Sequence, residues 1–169
     1  MNRIEDHIDA INNKVNQIEL QINSHLIPTQ GVFFDGQIFD AYELASRIMR
    51  SAKKSLVLID NYIDESTLLH LAKKEKQVHV LLLTPKIDSQ LALDVKKANA
   101  QYGGFSAKHF SVSHDRFIIV DETDVYLFGA SLKDLGKKHV VSPVEPWFGI
   151  VNMDARSVQE LLKQVDRLK

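Results

Sequence analysis

Two short apolar runs constrain the fold most: 56–59 (Leu-Val-Leu-Ile) and 78–83 (Val-His-Val-Leu-Leu-Leu), the second broken only by His79. Runs this short and this apolar belong to strands buried on both faces. Between them, Asp64-Glu65-Ser66 opens a helical pattern reaching about residue 74. Strand, helix and strand in that order read as one βαβ unit of a mostly parallel sheet. The pattern continues on both sides. Residues 31–34 read as a strand, Asp35-Gly36 as a turn, and 38–52 as a helix whose apolar face carries Phe39, Tyr42, Leu44, Ala45, Ile48 and Met49. Asp88 opens a helix to about residue 99, Tyr102-Gly103-Gly104 turns the chain, and 105–110 alternates as a strand. Strands are expected at 117–120, 125–128 and 147–151, and a closing amphipathic helix at 155–168. The expected class is α/β, a mixed sheet flanked by helices, with no internal repeat.

Ahead of this domain stands a different pattern. Ile4, Ile8, Ile11, Val15, Ile18 and Ile22 are spaced 4, 3, 4, 3, 4 in an otherwise polar segment. That is a heptad seam, with Ile8, Val15 and Ile22 at a and Ile4, Ile11 and Ile18 at d. Lys14 at g and Glu19 at e have the spacing that pairs across a parallel coiled coil. Residues 1–25 are therefore read as an oligomerisation helix, the alternative being a helix folded back on its own domain. Residues 26–31, with Pro28, form a linker, and 32–169 the domain.

Composition excludes several classes. The chain has no cysteine, so disulfides, thiolate metal sites and a cysteine nucleophile are excluded, and a cytoplasmic protein is expected. A formal net charge of −1 confines any nucleic-acid contact to a local patch. No run is long enough to cross a bilayer as a helix, and no apolar signal core opens the chain. The histidines show no metal-ligand spacing, so no metal or other cofactor is expected.

Chemistry concentrates between Ser113 and Lys138. Ser113, His114, Asp115 and Arg116 precede the 117–120 strand, and Gly129-Ala130-Ser131 follows the 125–128 strand. If the extended run starts at His114, alternation puts His114 and Arg116 on one face, with Ser131 arriving beside them. A histidine, a permanent cation and a hydroxyl suit a phosphate ester. Lys133, Lys137, Lys138 and His139 add positive charge after the motif, with Lys108 expected nearby and Lys96-Lys97 a further pair. Asp115, Glu122, Asp124 and Asp134 dilute that charge.

This stretch resembles the signature of the phospholipase D superfamily, H-x-K-x4-D followed by G-S-x-N. Here it reads His114-x-Arg116-x4-Asp121, then Gly129-Ala130-Ser131-Leu132-Lys133. The first spacing matches. Arg116 stands for the lysine, an alanine separates glycine from serine, and Lys133 stands for the asparagine. The chain looks most similar to the phospholipase D-like domain of some bacterial and phage regulatory proteins, often behind an antirepressor-type DNA-binding domain.

The resemblance implies metal-independent phosphodiester transfer through a phosphohistidine. His114 would be nucleophile or acid. Arg116, Ser131 and Lys133 would hold phosphate, with capping of a helical turn as the alternative for Ser131. Asp121 and Gly129 would be structural members of the motif. Glu145, ahead of the last strand, would orient His114, or would be a solvated loop residue. One motif per chain implies a homodimer that pairs two histidines. Two functions stay open. One is a phosphodiesterase acting on DNA or RNA. The other is a catalytically degenerate binding and oligomerisation module of a DNA-associated protein.

Overall fold

The computed structural model describes residues 3–25, 30–34, 37–135, 147–154, 156 and 158–169. Most of the 26–31 linker, the 35–36 turn, Lys137, Lys138, His139 and Glu145 lie outside the described residues. A first helix, α1 (Arg3–His25), precedes a seven-stranded mixed sheet flanked by helices. In chain order the domain runs β1 (Gln30–Phe34), α2 (Ile38–Ser51), β2 (Ser55–Ile59), α3 (Glu65–Leu71), β3 (His79–Thr84), α4 (Ser89–Tyr102), β4 (Phe105–His109), β5 (Arg116–Val120), β6 (Asp124–Phe128), β7 (Trp147–Met153) and α5 (Gln159–Asp166), with a 3₁₀ turn at Leu132–Asp134. Among the described residues no helix is long and apolar enough to cross a membrane.

Strand order is β1-β7-β6-β5-β2-β3-β4. The sheet is mixed, as the fold class expected, but fewer of its ladders are parallel than the reading of 56–83 as part of a mostly parallel sheet implied. Only β2–β3 and β3–β4 are parallel; the other four ladders are antiparallel. The reason is connectivity. Parallel neighbours need a crossover, and only α3 and α4 supply one between adjacent strands. β5 returns beside β2 in the opposite sense and turns directly into β6.

Local chemistry sets the helix starts. Asp64 accepts from the N–H groups of Ser66 and Thr67 at 2.9 and 3.3 Å, and Thr67 Oγ1 accepts from Asp64 N–H, a complete capping box. Asp88 accepts from Leu91 N–H at 2.9 Å to start α4. α4 runs three residues past its expected end. Gly103 and Gly104 then turn the chain, both at positive φ, and a Cβ on Gly104 would meet the Val78 carbonyl oxygen at 3.1 Å. Asn99 clamps this turn by bonding both N–H and C=O of Phe105. α3 and α5 are shorter than expected.

The two faces of the sheet are covered unequally. α2, α3 and α4 pack on one, over Leu56, Leu58, Val80, Leu82, Ile118 and Phe128. Among the described residues α5 is the helix that packs on the other, over Val57, Ile59, Leu83, Phe117 and Ile119. β2 is thus buried on both faces and paired on both edges. α1 contrasts with this: Ile4, Ile8, Ile11, Val15 and Ile18 are 46–68% exposed. The side chain of Ile22 lies outside the described residues.

Candidate functional site

The sheet directs several polar groups to the carboxyl end of β2. Here the strand order switches, with parallel β3 on one side and antiparallel β5 on the other. Open α/β sheets bind ligands at such points. Asp60 follows Ile59, and its N–H extends the ladder to the Leu83 carbonyl at 3.1 Å. By alternation its side chain joins the face of Leu56 and Leu58, as Arg116 joins that of Ile118. The two meet because β5 starts where β2 stops: Ile59 pairs with Phe117.

Asp60 is fully buried. Its Oδ1 accepts from Tyr62 N–H at 2.9 Å and from the Ser131 hydroxyl at 3.0 Å, and Oδ2 accepts from Leu132 N–H at 3.2 Å. Arg116 Nε–H donates to Ser131 Oγ at 2.9 Å and lies 3.9 Å from Asp60 Oδ1. A directed chain results, Arg116 to Ser131 to Asp60. Desolvation pushes the Asp60 pKa up from the ordinary carboxylate value. The bonds from Tyr62, Ser131 and Leu132, with the Arg116 charge, oppose the rise without cancelling it. The Arg116 side chain is 30% exposed, and its two Nη groups donate to no described residue.

The remaining expected residues fall as follows. Ser131 occupies the N-cap position of the 3₁₀ turn, yet its side chain makes no capping bond. Lys133 Nζ lies 3.6 Å from Asp134 and 5.8 Å from the centre of the exposed Tyr62 ring. The Lys133 carbonyl accepts from Ser66 Oγ at 3.2 Å, which ties the start of α3 to the 3₁₀ turn. The extended run starts at Arg116 rather than His114. His114 sits in the preceding bend, exposed and bonded to no described residue. Gly129 is exposed and its N–H donates to the Gly149 carbonyl at 2.7 Å.

Asp121 stands at the far end of β5, away from this cluster. It lies in the β5–β6 turn, but its carboxylate does not serve that turn. It accepts from the N–H groups of Lys53, Lys54 and Ser55 at 2.7–3.1 Å, capturing the loop between α2 and β2. Partial desolvation raises its pKa, but the bonds from Ser55, Lys53 and Lys54 and the Lys54 charge outweigh this and hold the group below the ordinary value.

Asp60 and Tyr62 are the residues that sequence reasoning missed. The only local signal was an ionisable group placed directly after four buried apolar residues. Among the described residues no cluster of three or more acidic or histidine side chains could hold a metal ion.

No family model and no curated protein matches this chain. Solved structures do. The archaeal chromatin protein TrmBL2, described as showing a novel mode of DNA binding, aligns at 16% identity and a TM-score of 0.50, over 98% of this chain and 63% of that one. This chain therefore spans less than two thirds of the TrmBL2 chain. NucT from Helicobacter pylori aligns at 11% identity and a TM-score of 0.52, over 82% of this chain and 93% of that one. At these identities the likeness is one of fold. α1 makes up 23 of 169 residues, so the 98% alignment has to include it, whereas the 82% alignment leaves room for its omission.

Proposed function

We propose that this chain is the assembly and phosphate-contacting module of a DNA-associated protein. It has a phospholipase D-like frame that binds nucleic acid without cutting it, as a homodimer joined through α1. The internal chain from Arg116 through Ser131 to Asp60 carries this reading. Phosphoryl transfer needs donors aimed at charge that builds on phosphate oxygens. Here the serine proton is directed at a buried carboxylate, and one guanidinium N–H is spent on the serine oxygen. That carboxylate would also repel a pentacoordinate phosphorus. The Nη groups, which donate to no described residue, remain able to contact a phosphate. The fold likeness to a DNA-binding chromatin protein supports the DNA-associated role, and the heptad spacing of α1 supports the assembly role.

A second reading has one observation in its favour: His114 is exposed two residues before Arg116, with its ring open to a substrate. In that reading the dimer is a metal-independent phosphodiesterase and Glu145 orients the ring. Incubating single- and double-stranded DNA and RNA with the intact chain in EDTA separates the two, with His114→Ala as control. The expected result is no cleavage by either protein, and binding that weakens as salt rises. Cutting by the intact chain that His114→Ala abolishes would overturn the binding-only reading.

A further inference from the structure

Tyr62 is held unusually well for an exposed aromatic. Its N–H is bonded to Asp60 Oδ1 at 2.9 Å. Ile63 next to it packs against the core, and Asp64 then caps α3 with both halves of a capping box. The five-residue link from β2 to α3, residues 60–64, is thereby fixed at each end. Yet Tyr62 itself is 58% exposed, so folding leaves most of its apolar ring in water. Lys133 Nζ stands 5.8 Å from the ring centre, and the Arg116 guanidinium belongs to the same bonded cluster through its Nε–H to Ser131 and from there to Asp60.

A rigid aromatic ring with one cation over it and a second in the same bonded cluster has a specific complement, a planar base on the open part of the ring with phosphates adjoining it. We propose that Tyr62 is a stacking platform for an unpaired nucleobase, with Lys133 and Arg116 contacting the adjoining phosphates. Single-stranded nucleic acid is then preferred over duplex. This rests on the nucleic-acid reading above and sharpens it. A duplex keeps its bases stacked on one another and offers Tyr62 no face, whereas a single strand offers one per nucleotide. Charge alone does not account for the site. Asp60 offsets Arg116 and Asp134 offsets Lys133, so stacking carries more of the affinity than electrostatic attraction does. With two phosphate contacts, log K should fall with log salt at a slope no steeper than about −1.5.

Fluorescence anisotropy with the intact chain tests this, using a labelled oligothymidylate and a labelled mixed-sequence duplex. The wild-type chain should bind the single strand more tightly. Tyr62→Ala should weaken single-strand binding about tenfold or more and leave duplex binding unchanged, while Tyr62→Phe keeps wild-type affinity. The ring is exposed, so circular dichroism should show an intact fold in both variants. Wild-type single-strand binding that Tyr62→Ala does not weaken overturns the platform and leaves the broader reading standing. Failure of the wild-type chain to bind either nucleic acid overturns both.

Discussion

Asp60 has opposite effects on stability depending on what is changed. Its carboxylate satisfies Leu132 N–H and the Ser131 hydroxyl and faces Arg116. Asp60→Ala strips the Tyr62 and Leu132 N–H groups and the Ser131 hydroxyl of their acceptor and Arg116 of its counter-charge, and a loss of about 3 kcal/mol is expected from urea unfolding at neutral pH. The pH dependence has its own sign. Because the folded pKa is raised above 3.8, the native state holds this proton more tightly than the unfolded chain does. Its stabilising contribution is complete below the unfolded value and is lost as pH rises through the raised folded value. Asp121 behaves oppositely. Its folded pKa is depressed, so its contribution is present above the unfolded value and lost as pH falls through the folded one. Urea midpoints measured across acid pH should show Asp60→Asn removing a falling limb and Asp121→Asn removing a rising one. The two carboxylates also differ in how legible they are. Asp121 belongs to a spaced motif beside His114 and Arg116. Asp60 meets Ser131 across 71 residues, and no local pattern in the sequence encodes that pairing.

At the scale of elements, the β5–β6 turn carries a test of local strain. Asp121 and Glu122 both lie at positive φ, 50° and 68°, and Thr123 N–H closes the turn on the Val120 carbonyl at 3.1 Å. Paired positive φ values match the twist of the flanking strands, and such turns favour asparagine, aspartate and glycine. Glu122 has no such aptitude, and its one described ion pair, with Lys169, lies on the surface. Glu122→Gly should therefore stabilise by up to about 1 kcal/mol. Asp121→Gly should destabilise by about 2 kcal/mol, because it releases three N–H groups of the α2–β2 loop. Thermal melts of the two variants should move in opposite directions. Elements with local causes were readable beforehand: Asp64 and Asp88 as helix caps, Gly103-Gly104 as a turn, and the apolar runs as strands. The sense of pairing was not. A βαβ unit in the sequence speaks for its own two strands only. That β5 enters beside β2 in reverse is a property of the assembled sheet.

For the molecule as a whole, the row Ile4, Ile8, Ile11, Val15 and Ile18 is the largest feature without a partner among the described residues. Its heptad spacing supports a second copy of α1 as the partner. On the proposal of a homodimer through α1, replacing Ile8 and Ile11 with lysine should give monomers in light scattering and leave the near-ultraviolet spectrum of the α/β domain unchanged. An oligomer that survives both lysines would move the interface to the domain itself. The position of β2 has a consequence for amide hydrogen exchange. It is paired on both edges and covered on both faces, so the amides of Ser55–Ile59 should be among the last to take up deuterium, while the lone outer edges of β1 and β4 exchange early. Asp60 is attached directly to the end of that slow strand. The carboxylate should therefore keep its place through every partial opening of the sheet's margins and be released only when the whole domain unfolds.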